Sequence, residues 1–156
     1  MSRYETVSAV IAGSCAFMQM TEQALALGER QHRAQIEPVV SAKVQPIQLQ
    51  GVHGYRGVTI TNGGAGTAYA VRTRLLAARA DGKQELVERR EPDLGPHNTK
   101  TIAAPSGTND YQDVWGLITY RDVEGIEYWS RCEQGSAQWE HGRGCVPPNE
   151  CPQPSP

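Results

Sequence analysis

The chain has 156 residues and a formal net charge of −2; 12 of its 15 basic residues are Arg. That balance excludes a global electrostatic pull toward nucleic acid or an anionic membrane. Ten Pro, 16 Gly and a single Phe favour a turn-rich β protein over a large helical one, and the length suits one sandwich domain of about 100 residues with appendages.

The N-terminus predicts a long helix, from about residue 3 to 36. Ser2 and Glu5 form an S-x-x-E capping box. Val7, Ile11, Ser14, Met18, Thr21, Leu25 and Gly28 then recur at alternating steps of four and three, one helical stripe. Pro38 ends the pattern, because its ring and missing N–H oppose continuation. Such a helix would be roughly 50 Å long, more than a small sandwich can cover. Its first half is apolar and its second half, "GERQHRAQIE", strongly polar. The helix is therefore expected to project and to be held by a partner or by other copies, with Ile11, Met18 and Leu25 as contact residues. The apolar run "VSAVIAGSCAFMQM" falls short of the roughly 18 residues of a spanning helix. A processed signal is not expected either, since Arg3 is offset by Glu5 and no basic leader precedes the run.

Beyond Pro38 the period becomes two. "VVSAKVQPIQLQ" is extended, and Pro46 demotes its middle to an edge or a strand switch. "YRGVTIT" alternates, and "TAYAVRTRLL" alternates again, with Tyr69, Val71, Thr73 and Leu75 expected on one face. Asp81-Gly82 reads as a two-residue hairpin turn into "QELVERR". "TKTIAA" is a short strand. "VWGLITYR" and "IEYWSRC" are joined by a turn at 122–125, with Asp first and Gly last. About seven short strands with regular turns predict a mainly β, Greek-key sandwich over 38–134, preceded by the helical segment 1–37 and followed by a Cys/Pro-rich tail at 135–156.

The cluster "TNGGAG" is the nearest thing to a phosphate loop. Gly64 and Gly66 supply half a dinucleotide fingerprint, but the third glycine position falls on Tyr69, and a strand follows instead of a helix N-terminus. A turn with positive φ at Asn62, Gly63 or Gly64 is expected. With this corner in place, "VTITNGGAGTAYAVRTRL" resembles the signature of CARDB-like, immunoglobulin-like β-sandwich domains. The order of "YETVSAVIAGSCAFMQM", "RQHRAQIEP", the Asn62 corner and "ITYRDVEGIEYW" is similar to that in small bacterial and phage proteins with an N-terminal helical anchor or stalk. The resemblance implies an immunoglobulin-like sandwich and a non-catalytic binding or structural module. Those relatives' first helix is long enough to cross a membrane and this one is not, so anchoring is not carried over.

Chemistry-bearing residues are sparse. Cys132, His141, Cys145 and Cys151 are the ligand types of a zinc site, but lack the tight C-x2-C knuckle. A disulfide within Cys132, Cys145 and Cys151 is the preferred reading, with zinc or free thiols as alternatives. None of His32, His53, His97 and His141 lies in a recognisable nucleophile motif. No catalytic residue, cofactor or enzymatic activity is expected. Arg72, Arg74, Arg79, Arg89 and Arg90 could form a basic stripe; the interleaved Glu85, Glu88 and Glu91 predict cross-strand ion pairs instead, and no nucleic-acid partner. Trp129 on the last hairpin is the expected exposed contact. These features predict a structural or protein-binding module in a phage virion or assembly particle, working through a protein partner or a homo-oligomer. The alternatives are a bacterial envelope protein with a membrane-associated helix and a zinc-stabilised secreted module.

Overall fold

The computed structural model describes residues 22–49, 52–105 and 110–144. Helix α1 covers 22–36; up to Gln35 it belongs to a unit separate from the β domain, which takes in its last residue, Ile36. The described helix is about 22 Å long, and covers only the second half of the one expected over 3–36. The stretch 3–21, with Ile11 and Met18, lies outside the described residues. The helix stops where Pro38 forbids its continuation.

Eight strands follow among the described residues: β1 Val40–Leu49, β2 Val52–Asn62, β3 Ala68–Arg79, β4 Gln84–Leu94, β5 Thr99–Ala103, β6 Tyr111–Arg121, β7 Glu127–Cys132 and β8 Glu140–Arg143. They form two antiparallel sheets, ordered β1-β2-β5 and β4-β3-β6-β7-β8. Pro46 sits on an edge strand, where its missing N–H breaks no ladder. β8 carries the larger sheet on to Arg143, within the segment read from sequence as tail, and Trp139 just before it packs against the core.

One apolar core joins the two sheets. Val40, Val58 and Ile60 of the smaller sheet meet Val71, Leu75 and Ile118 of the larger, all fully buried. Each such side chain contributes about 1.5–3 kcal/mol. Polar latches tie the sheets as well. The Val40 N–H donates to Tyr120 Oη at 3.2 Å, and Arg89 Nε donates to the Ile102 carbonyl at 3.0 Å.

The glycine corner is organised by Asn62, whose side chain is fully buried. Its Oδ1 accepts from the N–H groups of Val39 (3.1 Å) and Gly64 (3.0 Å). Its Nδ2 donates to the carbonyls of Gly66 (2.8 Å) and Leu94 (2.9 Å). The backbone N–H donates to Asn98 and the carbonyl accepts from His97. The positive φ expected at Asn62, Gly63 or Gly64 is not found. The glycines are needed for space instead. A Cβ on Gly64 would lie 2.7 Å from Val39 N and 2.8 Å from Pro38 Cα, and one on Gly66 would fall on the Ile36 backbone. The chain entering β1 runs directly across the corner.

Tyr69 also departs from expectation. The β3–β6 register slips between Tyr69 and Arg72, and Ala70 adopts φ 49°. This bulge turns Tyr69 outward, 39% exposed, while Val71, Thr73 and Leu75 keep the expected buried face.

A substitution series separates space from conformation at the corner. Gly63 has only Val39 O near its would-be Cβ, at 3.9 Å. Gly63→Ala should change the unfolding free energy by less than about 0.5 kcal/mol. Gly64→Ala should cost about 2 kcal/mol or more, as overpacking does. Urea denaturation of the two variants reads both.

Candidate functional site

The β6–β7 hairpin carries a dense set of buried polar groups. Alternation along β6 and β7 turns Tyr120, Tyr128 and Ser130 inward. Tyr120 and Tyr128 are cross-strand partners with stacked rings, centroids 5.9 Å apart. Asp122, also buried, closes the turn: its Oδ1 accepts from the N–H of Glu124 and Ile126, and its Oδ2 from Tyr128 Oη. The turn ends on Gly125 at φ 82°, the left-handed residue the sequence predicts.

A hydrogen-bond chain runs from the smaller sheet through the buried Tyr120 and Ser130 to His141, exposed on β8. Tyr120 Oη lies 2.8 Å from Ser130 Oγ, which lies 2.8 Å from His141 Nδ1. Val40 already donates into Tyr120. The proton order that leaves no buried hydroxyl proton unpartnered has Tyr120 donating to Ser130 and Ser130 donating to His141. His141 Nδ1 is then an acceptor and the ring neutral. Burial pushes the His141 pKa down and the Tyr120 pKa up. A serine against a histidine is half of a nucleophile motif. Here Ser130 is wholly buried and its hydroxyl is committed to the chain, so the pair fastens β8 and offers no nucleophile to solvent.

The residues singled out from sequence do not converge. Leu25 lies on α1, 66% exposed. Trp129 points outward from β7 but is half-buried: its ring lies against Gly142 of β8, with the Arg131 guanidinium 6.0 Å from the ring centroid. Cys132 is a buried free thiol directed at the carbonyls of Ser136 and Glu133, with its pKa raised, chiefly by burial. Cys145 and Cys151 lie outside the described residues. His141 is engaged by Ser130, and the described residues hold no group of three or more side chains able to bind a metal.

A different site lies on the outward face of the larger sheet. Arg72, Arg74, Glu88, Arg90, Leu117 and Thr119 line a groove of about 530 Å³ over β4, β3 and β6. The expected Arg–Glu ladder is only partly present. Arg74 meets Glu88 at 3.3 Å, whereas Glu91 pairs with Lys100 and Glu85 accepts from Tyr111 Oη. That bond and, above all, burial push the Tyr111 pKa up to about 12. Arg72 stands directly opposite Arg90. Neither has an ion-pair partner among the described residues.

The reason is the length of the β3–β4 turn. Arg79 N–H donates to the Lys83 carbonyl, so the loop spans three residues, 80–82, with Gly82 at φ 84°, and not the two of the Asp81-Gly82 reading. A two-residue loop would set Arg72 against Glu91. The extra residue shifts the register by one and sets it against Arg90.

The neutral His141 gives the fold a pH dependence of known sign. Its folded-state pKa lies below the ordinary 6.5, so its contribution is present above that value and is lost as pH falls through the folded pKa. Urea midpoints measured at pH 7 and pH 5 should drop more in the native protein than in His141→Gln. Equal drops would remove His141 as the responsible group.

Comparison with protein-family models, with curated proteins and with solved structures finds no match to this chain.

Proposed function

We propose that this protein is a non-catalytic structural or protein-binding module, an immunoglobulin-like sandwich that assembles through its N-terminal helix. Two observations support the sandwich type. Taking β1, β2, β3, β5, β6 and β7 as strands A, B, C, E, F and G puts A-B-E in one sheet and C-F-G in the other, as in immunoglobulin-like domains. The buried polar side chains Asn62, Asp122 and Ser130 are all spent on turns and strand fastening.

The observation that carries the assembly reading is α1 itself. Leu25 is 66% and Leu27 56% exposed, while the sandwich closes a core from its own strands. Two residues apart on a helix, these leucines lie on different faces. Apolar groups left on more than one face of a helix are accounted for by neighbouring chains that cover them. A virion or its assembly intermediate, where many copies meet, is the proposed setting.

Leu25→Glu combined with Leu27→Glu should shift the mass measured by light scattering from an oligomer toward the monomer. The thermal midpoint of the sandwich should stay within about 2 °C, because neither leucine belongs to the sandwich core. A monomeric native protein, or an oligomer that survives both substitutions, would contradict the reading.

A further inference from the structure

We propose that the Arg72–Arg90 groove is a docking site for an acidic, extended segment of a partner protein. The inference concerns the sandwich alone and does not depend on the helix as assembly element. Its starting point is a local conflict. Like charges directly opposite each other on an antiparallel pair, with Cβ atoms about 5 Å apart, destabilise the sheet. Arg72 and Arg90 hold that position without a carboxylate from the described residues. A ligand carboxylate placed between them would accept charge-assisted hydrogen bonds from both guanidinium forks and cancel the repulsion.

The neighbouring rows define the rest of the ligand. Thr119 flanks Arg72 on β6, completing the first row with a hydroxyl. The next row on the same face, about 7 Å along the strands, is Glu88, Arg74 and Leu117. Arg74 is already neutralised by Glu88, and Leu117 offers apolar contact. In an extended peptide, residues i and i+2 are also about 7 Å apart and point to one side. The groove therefore fits an acid at i and an apolar residue at i+2. A nucleic-acid strand fits worse, because its next phosphate would meet Glu88. Addition of the segment as a further strand along β4 is also disfavoured: Pro92 and a run of charges blunt that edge.

The test uses the full chain and a blocked hexapeptide of alternating Glu and Leu, titrated at low ionic strength and followed by backbone amide shifts. Shifts should centre on Arg72, Arg90 and Thr119. Arg72→Gln and Arg90→Gln should each weaken binding about tenfold. Arg79→Gln, outside the groove and beside Asp81, should not. The two groove variants should melt at or above the native temperature, which shows that lost binding is not lost folding. The proposal is overturned if no shifts occur, if the Arg72→Gln/Arg90→Gln double variant binds equally well, if a Gln–Leu peptide binds as tightly, or if single-stranded oligothymidylate binds more tightly.

Discussion

Asn62 is the joint on which the sandwich is hung. A carboxamide is the one short side chain that offers two donors and two acceptors in a plane, and here all four are used. Its oxygen holds the segment entering β1 and the first turn of the glycine corner; its nitrogen holds the far side of that corner and the end of β4. Its orientation is settled by its partners, since a reversed amide would set NH2 against two N–H groups. The same residue ends β2 and pairs with Val40, so it fixes where β1 begins against β2. From that register follow the inward positions of Val40, Ala42, Val58 and Ile60, and the placement of the Val40 N–H against Tyr120.

From Tyr120 the same logic runs on across β7 to β8. Its hydroxyl links the smaller sheet to Ser130, and Ser130 to His141 on the last strand. Asp122 and Tyr128 complete a second closed set beside it. The buried members, Tyr120, Tyr128, Asp122 and Ser130, are satisfied within the fold, which is how a modest apolar core can tolerate them. The outward face of the larger sheet differs. There Arg72 and Arg90 break the rule of opposite charges across a strand pair. A local rule broken on an otherwise consistent scaffold is the ground on which we propose a docking site there.

Much of the architecture was legible from alternation. The burial of Val71, Thr73 and Leu75, the inward Tyr128, the edge position of Pro46 and the turn at Asp122 all follow from period two and turn chemistry. The corner was recognisable as a turn because a strand follows it. Its cause was not legible: glycine there answers to a chain segment that crosses from Pro38, a contact no local pattern announces. Tyr69 was misplaced because a bulge at Ala70 shifts the face without any Gly or Pro to signal it. The Arg72–Arg90 opposition was hidden by one residue of loop length at Asp81-Gly82, since Asp-Gly serves both two-residue and three-residue turns. β8 is four residues long and lies in a Gly-rich stretch without alternation, below what periodicity can detect.

Asn62 supports the fold through both halves of its amide. Equilibrium unfolding of Asn62→Asp at neutral pH tests it most directly. Aspartate keeps the shape and both acceptor bonds, but turns an oxygen toward the carbonyls of Gly66 and Leu94 in place of a donor. The expected loss is about 3 kcal/mol or more, from two carbonyls left unpaired beside a buried charge. A variant within about 0.5 kcal/mol of the native protein, the range of an ordinary surface change, would contradict it.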